Sequence, residues 1–403
     1  MSNSCSSALR LVLFRPGVIG NDTAFEAQAA IYKYLQQHYG YAFTIVKSEE
    51  DKYQDEALPI ISIPKKAWKA SLHQLGIPKL GSANQYLDPI FTQADGIITI
   101  DPTAYWQGLL AIAYAHQTKK PVWFDASRTV MGASQTLTWK WQRRFWMRKA
   151  FYQTTGIIVT VPKCIERFQE IGLYDQVIAP KFTIMGHPVD TKQFVPHPKQ
   201  SEQDGIVRVL VISRMVPEKG LLYILEAMAP LLRSRPNLQL QFLGRGPMRS
   251  FLEAEVAERE LRENVIFLNP VPHQEIPSLL GVADLFVNHA VSTGHWEEYF
   301  GAVNLEAMAC GLPCVLTTSG GISYAIREKD VAVFVEERNI IQLREAITRL
   351  LDSEQERCLM GTRARSYVEC YYALPVIAEK YHRMIQRGFG DNRLEDSGTN
   401  LRY

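Results

Sequence analysis

The sequence has few cysteines, and their spacing excludes two common classes of protein. None of the six forms a CxxC pair or a Cys/His cluster with zinc-ligand spacing, so neither a disulfide framework nor a structural zinc site is indicated. Cys310 and Cys314 flank Gly311 and Pro313 in an apolar run, and we expect both thiols to be small buried hydrophobic groups. A reducing cytoplasm is the environment that fits this usage.

Long apolar runs and excess charge are also lacking. No stretch reaches the roughly 18 apolar residues of a membrane span, and the opening MSNSCSSALRLVLF lacks the charged and apolar regions of a signal peptide. The formal net charge is only +2, which gives no support for a nucleic-acid partner. From these absences we expect a cytoplasmic protein, with peripheral contact at the inner face of a membrane left open.

Two nucleotide-binding motifs are missing. No GxxxxGK[ST] sequence occurs, and in FLGRGP (242–247) the third position of a GxGxxG fingerprint is Arg249. P-loop nucleotidases and dinucleotide-binding oxidoreductases are therefore not supported.

What the sequence does contain is a repeated alternation of apolar strands and helical patterns. LRLVLF (9–14) and VRVLVIS (207–213) each open such a series, and 403 residues are enough for two domains. The alternation predicts an α/β protein with two Rossmann-like, doubly wound parallel sheets. Further strands are predicted at 42–46, 59–63, 95–100, 121–125, 157–161, 181–185, 237–243, 264–268, 284–288, 313–317 and 331–335, and helices at 22–38, 247–261 and 339–351.

Composition predicts where the domains end. The stretch 187–205 is rich in Pro and polar residues and reads as a linker, so we expect an N-terminal domain over 1–190 and a C-terminal domain over 191–387. A helix at about 372–388 is predicted to pack back on the first domain, and 388–403 to form a polar tail. Because parallel sheets bind ligands at the carboxyl ends of their strands, two facing domains would enclose a central cleft.

Two glutamates in EEYFGAVNLEAMACGLPCV (297–315) are candidate ligand-binding groups. If Glu298 and Glu306 shared one helix, they would lie about 12 Å apart along its axis and be rotated by roughly 80°. That spacing favours contacts with two distant hydroxyl-bearing parts of one ligand over a shared proton. Gly301, at the predicted helix start, would let an anion approach backbone N–H groups. The alternative is that Glu298 caps a helix and Glu306 is solvated.

Two cations follow a predicted strand in SRMVPEKG (213–220). Arg214 lies at the carboxyl end of that strand and Lys219 near the start of the next helix, which is a suitable site for a diphosphate. The alternative is a pair of exposed charges on a surface loop. Gly244, in FLGRGP, is equally compatible with a tight turn that binds nothing.

Taken in order, these motifs resemble glycosyltransferase family 4, the large retaining group with the GT-B fold. The matching segments are HPVDTKQFVP, SRMVPEKG, FLGRGP, EEYFGAVNLEAMACGLP and TTSGGI, and the N-terminal half is only loosely similar. The resemblance implies a nucleotide-sugar donor, an acceptor hydroxyl on a glycan, small molecule or lipid, and no metal or other cofactor. The residues it implicates in catalysis are Arg214, Lys219 and Glu298, and those in donor binding are Gly17, Gly244, Phe300, Gly301 and Glu306.

The chain departs from the family pattern at three places. Asp125 stands where relatives often have a histidine and is a candidate group on the acceptor side. Tyr324 follows a Gly-Gly pair where relatives have a glutamate, and the first turn reads PGVIGND without paired glycines. These differences leave open a second hypothesis, a non-catalytic protein that binds a nucleotide sugar.

A third hypothesis concerns the segment LTWKWQRRFWMRKAFY (137–152). It contains five basic residues, three tryptophans and no acid, a composition that suits an anionic membrane surface. Its basic positions are spread around the helix, however, and Trp141 and Phe145 have the spacing of core residues. The alternative is a solvated helix that packs on the core.

Overall fold

The computed structural model describes residues 8–16, 23–64, 81–103, 107–126 and 141–390. These residues form two compact units. The first comprises the described residues up to 185 together with 375–390, and the second comprises residues 186–374.

The first unit is built on a parallel sheet of seven strands with helices beside it. Its order, β3-β2-β1-β4-β5-β6-β7, has the reversal between β1 and β4 that defines a doubly wound sheet. The strands are β1 (Leu9–Arg15), β2 (Tyr41–Ser48), β3 (Ile60–Ile63), β4 (Gly96–Ile100), β5 (Val122–Asp125), β6 (Gly156–Val159) and β7 (Phe182–Ile184). The helices are α1 (Thr23–Tyr39), α2 (Gly81–Gln93), α3 (Gln107–Gln117), α4 (Trp141–Gln153) and α5 (Pro162–Glu170).

The second unit repeats this topology with six parallel strands in the order β10-β9-β8-β11-β12-β13. The strands are β8 (Val207–Ile212), β9 (Leu238–Leu243), β10 (Val265–Leu268), β11 (Leu285–Asn288), β12 (Cys314–Thr317) and β13 (Val333–Val335). The helices are α6 (Ser201–Asp204), α7 (Leu221–Ser234), α8 (Arg249–Glu258), α9 (Ile276–Val282), α10 (Ala302–Ala309), α11 (Ile322–Ala325), α12 (Ile340–Asp352) and α13 (Glu354–Tyr371). The predicted fold class, two doubly wound parallel α/β sheets, is confirmed.

The central strands are apolar on both faces because helices cover both faces of a parallel sheet. β4 is buried along its whole length, and so are β11 and β12. Helix starts follow local chemistry: the side chains of Asn339 and Ser353 accept hydrogen bonds from backbone N–H groups of α12 and α13. Cys310 and Cys314 are buried as predicted, and burial raises the pKa of Cys310 to about 12.

The segment predicted to be a linker is anchored within the second unit. Val189 and Phe194 are both buried, and Val189 pairs with Ala373 in a parallel bridge. The sequence shows no apolar period here because the buried side chains, Pro188, Val189 and Phe194, follow neither helical nor strand spacing.

The last described helix, α14 (Leu374–Gly388), packs in the first unit. Its Tyr381 ring lies 6.1 Å from that of Tyr32, and its Glu379 accepts a hydrogen bond of 2.5 Å from the Tyr39 hydroxyl. Phe389, just beyond α14, lies with its ring 6.1 Å from that of Trp123, so the packed chain extends past Gly388, where the sequence predicted a polar tail. Residues 391–403 lie outside the described ranges.

Candidate functional site

Lys219 and Glu298 form an ion pair in the second unit. Lys219 ends a 3₁₀ turn directly before α7, and Glu298 lies in the loop before α10. Their side chains are only 14% and 11% exposed, and the Lys219 Nζ also lies 4.9 Å from the centre of the Trp296 ring. Lys219 is therefore not an exposed loop charge, and Glu298 is not a helix cap, since no side chain caps α10. The two groups hold each other in place.

The loop after β12 fixes the backbone at Glu298. The Gly321 N–H donates a 2.7 Å hydrogen bond to the Glu298 carbonyl oxygen. Gly320 has a φ of +56°, and a Cβ at this position would collide with that carbonyl oxygen. Only glycine satisfies both the conformation and the close approach.

Glu306 is paired with His273, a residue that no sequence motif indicated. The Oε1 of Glu306, on α10, lies 2.8 Å from the Nε2 of His273, which begins a 3₁₀ turn before α9. The Glu306 side chain is 17% exposed, so the alternative of a solvated glutamate is wrong. Glu298 and Glu306 do not share a helix, because α10 begins at Ala302. In the sequence, His273 lies in VPHQEIP (271–277), and nothing in that pattern indicates a pairing with Glu306.

Gly301 is the N-cap residue of α10, as predicted. Its φ is +73°, and a Cβ would collide with the Asn304 side-chain amide. Because no side chain caps this helix, its first N–H groups face an approaching anion without competition from a cap. The neighbouring Phe300 ring is buried against His187 and Tyr372, at centroid distances of 4.8 and 5.6 Å. A ligand would therefore meet the backbone at Phe300 rather than its ring.

Arg214 and Gly244 follow neighbouring strands, β8 and β9. The Arg214 side chain is 62% exposed, and its guanidinium lies 3.7 Å from Glu218. Gly244 has a φ of +147°, and a Cβ there would collide with the carbonyl oxygen of Ser213. The close approach of the two loops is enough to require a glycine at position 244, whether or not a ligand binds there.

His289, directly after β11, is buried at the same edge of the sheet. Its Nε2 accepts a 3.1 Å hydrogen bond from the Arg338 N–H, which requires an unprotonated Nε2. Burial lowers the pKa of His289 to about 4. The imidazole is therefore neutral at physiological pH.

Asp125 lies in the first unit, where it ends β5. Its carboxylate accepts a 2.5 Å hydrogen bond from the Gln28 side chain and lies 3.6 Å from the guanidinium of Arg15, the last residue of β1. Asp101 follows the adjacent β4, and burial, assisted by the nearby Asp125, raises the pKa of Asp101 to about 7. This edge of the first sheet thus gathers two carboxyl groups and a cation. Gly17, predicted near the phosphates, lies outside the described residues.

Helix α4 covers the described part of the basic, aromatic segment. Phe145 is 65% exposed and Tyr152 is 41% exposed, so the alternative of a core position for Phe145 is wrong. Arg148 forms a 3.0 Å ion pair with Asp175, and the Lys149 Nζ lies 5.4 Å from the centre of the Trp146 ring. Aromatic and basic side chains therefore share an exposed surface.

Within the described ranges, no three His, Cys, Asp or Glu side chains are grouped as ligands of a metal ion. None of the helices in these ranges combines the length and the hydrophobicity that crossing a membrane would take.

The second unit matches a known family. Residues 195–367 match the family model described as Glycosyl transferases group 1. This stretch contains Lys219, Glu298, Glu306 and the other candidate residues of the second unit.

Individual relatives match over about half of the chain. A GDP-mannose-dependent monoacylated alpha-(1-6)-phosphatidylinositol monomannoside mannosyltransferase from Corynebacterium glutamicum is 29% identical over 218 residues, 51% of this chain and 56% of that protein. An alpha-D-kanosaminyltransferase from Streptomyces kanamyceticus is 30% identical over 172 residues, which are 43% of this chain and 43% of that protein. The chain spans about half the length of the curated relatives it matches.

A solved structure matches over nearly the whole chain. HepE from Anabaena, in complex with UDP, has a TM-score of 0.75 at 15% identity, with 94% of this chain and 100% of HepE covered. This likeness identifies the fold as GT-B. The family model thus matches within the second unit, and the solved structure matches in fold over nearly the whole chain.

Proposed function

We propose that the protein is a retaining glycosyltransferase of family 4 that moves a sugar from a nucleoside diphosphate sugar to an acceptor hydroxyl. The observation that carries the proposal is the ion pair of Lys219 and Glu298 at the carboxyl edge of the second sheet. This pair is a cation and a carboxylate within the stretch that matches the glycosyltransferase family, and in the proposal the carboxylate binds hydroxyls.

The leaving diphosphate needs positive charge. Breaking a glycosyl–phosphate bond passes through an oxocarbenium-like state while negative charge grows on the phosphate oxygens. In the proposal, Lys219 and the exposed Arg214 bind these oxygens, and the uncapped N-terminus of α10 adds backbone N–H donors. We expect no metal to be needed, because these groups supply the charge.

The two carboxylates bind the two ends of the donor. Glu298 accepts hydrogen bonds from hydroxyls of the transferred sugar, next to the backbone of Phe300 and Gly301. Glu306 accepts hydrogen bonds from the ribose hydroxyls, and His273 holds its carboxylate in position. Gly17 and Gly244 are proposed to lie near the donor, and Asp125 to contact the acceptor.

The test is turnover with a panel of UDP-, GDP- and ADP-sugars, with nucleotide release as the readout. The proposal predicts release that depends on acceptor and persists in EDTA, and a product whose anomeric configuration, read by NMR, equals that of the donor. Inversion would refute the retaining assignment. Tight donor binding without turnover on glycan, small-molecule or lipid acceptors would favour a non-catalytic nucleotide-sugar-binding protein.

A second candidate property is contact with the inner face of a membrane. The exposed Phe145 and Tyr152, on a helix that also presents Arg148, favour it. It is compatible with a lipid acceptor, the class named for the Corynebacterium relative. Flotation with vesicles that contain or lack anionic lipid tests it.

A further inference from the structure

A cavity of about 470 Å³ lies in the second unit, at the amino ends of its strands. Val207, the first residue of β8, lines it, as do Asp284 and Pro313, which directly precede β11 and β12. The proposed donor residues follow the carboxyl ends of these strands, where ligands of parallel sheets usually bind. The cavity is therefore at the opposite edge of the sheet and is separate from the donor site.

Lys199 reaches into this cavity with an unpaired amine. Its Nζ is buried, and among the described residues it has no hydrogen-bond partner. Burial lowers the pKa of Lys199, an effect that the nearby Asp284 and the thiols of Cys310 and Cys358 oppose. A buried donor without an acceptor is costly, commonly by about 1–3 kcal/mol. An acceptor supplied by a ligand would remove that cost.

The charges of the cavity wall favour an anion. Asp284 is already engaged, since its carboxylate accepts hydrogen bonds from the Ser201 hydroxyl and from the Arg208 N–H at 2.7 Å. Arg357, a second cation of the wall, donates to the carbonyl oxygens at the end of α12. Lys199 and Arg357 together outweigh the single interior carboxylate.

Three further charged residues and two hydroxyls also line the wall. Arg365 is neutralised by Glu369 at 2.8 Å. Glu202 and Glu354 are both exposed to solvent, which screens their charge. Thr362 and Ser366 line the same wall, and because each hydroxyl donates to a backbone carbonyl oxygen, its own oxygen can accept a hydrogen bond from a ligand hydroxyl.

We propose that this cavity is a second ligand-binding site, in which the Lys199 Nζ binds the phosphate or carboxylate group of a small hydroxylated metabolite. The volume suits such a ligand, since small-molecule pockets commonly measure about 300–1,000 Å³. The site is distinct from the donor site in place and in the residues it uses.

The reactivity of two exposed cysteines can show whether a ligand occupies the cavity. Cys358 is exposed and lines the cavity, whereas Cys370 is exposed but does not line it. The experiment measures alkylation of both thiols by iodoacetamide in the folded full-length protein, by mass spectrometry of their peptides. Inorganic phosphate and acetate are titrated in separate arms against chloride at constant ionic strength, up to about 50 mM, because a single oxyanion contact gives millimolar affinity at best.

The proposal predicts saturable protection of Cys358 by phosphate or acetate, roughly 10-fold at saturation, with Cys370 unchanged. The anion that protects Cys358 shows whether the site prefers a phosphate or a carboxylate. Lys199→Met should abolish protection, whereas Lys192→Met, at an exposed lysine of the same segment, should retain it. Failure of both anions to protect wild-type Cys358, equal protection of Cys370, or full protection in a folded Lys199→Met protein would overturn it.

Discussion

The Nε2 of His273 lies 2.8 Å from the Oε1 of Glu306, across two segments that no sequence motif connects. A hydrogen bond to a charged group contributes about 1.5–3 kcal/mol. In the proposed function this bond orients the carboxylate that receives the ribose hydroxyls, so His273 is a positioning residue.

His273→Phe should therefore weaken nucleotide binding roughly 10-fold or more while kcat changes little. His273→Gln retains a donor and should recover most of the affinity. Steady-state kinetics and calorimetry with UDP and GDP check this. Equal losses in the two variants would show that His273 acts through packing alone.

Gly320 packs directly against the backbone of Glu298. Gly320→Ala should lower the free energy of unfolding by about 2 kcal/mol or more, because it combines a left-handed φ with a collision against the Glu298 carbonyl oxygen. It should also reduce turnover by displacing Glu298. The matched control is Gly294→Ala, since a Cβ at Gly294 meets nothing within 4 Å, and urea unfolding compares the two. A Gly320→Ala protein as stable as the control would contradict the description of this loop.

His289 should make stability depend on pH. The folded-state pKa of His289 is about 4, below the ordinary 6.5. The buried neutral imidazole therefore makes its full contribution to the free energy of unfolding above pH 6.5, and this contribution is lost as the pH falls toward 4. His289→Gln keeps an acceptor for the Arg338 N–H but does not titrate in this range. Between pH 7 and pH 4, the wild type should lose about 3 kcal/mol relative to this variant. Parallel pH dependences in denaturant unfolding would refute the assignment.

The exposed aromatic residues of α4 should govern vesicle binding. Phe145→Ser removes an apolar side chain whose burial in an interface is favourable by about 1.5–3 kcal/mol, so the partition coefficient onto anionic vesicles should fall roughly 10-fold. Phe251→Ser, at an exposed phenylalanine of the second unit, should bind as the wild type does. Flotation at low salt measures the vesicle binding of both variants. If Phe145→Ser binds as the wild type does, this surface is not the one that contacts the membrane.

The strands could be predicted from the sequence because buried parallel strands are short apolar runs. VRVLVIS at 207–213 became β8 over Val207–Ile212, and the sequence at 237–243 became β9 over Leu238–Leu243. Gly301 was placed correctly at a helix start because the helix-prone run LEAMA (305–309) follows it closely. Local patterns were enough for these features.

Pairings between distant segments could not be predicted in the same way. Lys219 and Glu298 are 79 positions apart, and His273 and Glu306 are 33 apart, so no local period relates either pair. Exposure of Phe145 was missed because its spacing from Trp141 is also that of core residues. These features follow from tertiary packing, which a single sequence does not display.

The most direct test of the donor site is calorimetric titration of UDP and GDP into the wild type, Lys219→Met and Lys192→Met. The account predicts saturable binding of at least one of the two nucleotides by the wild type, with Lys192→Met unchanged. Loss of the charge-assisted contact in folded Lys219→Met should weaken that binding roughly 100-fold, which corresponds to about 3 kcal/mol. Absence of binding to the wild type, or equal affinity in Lys219→Met, would contradict the central claim.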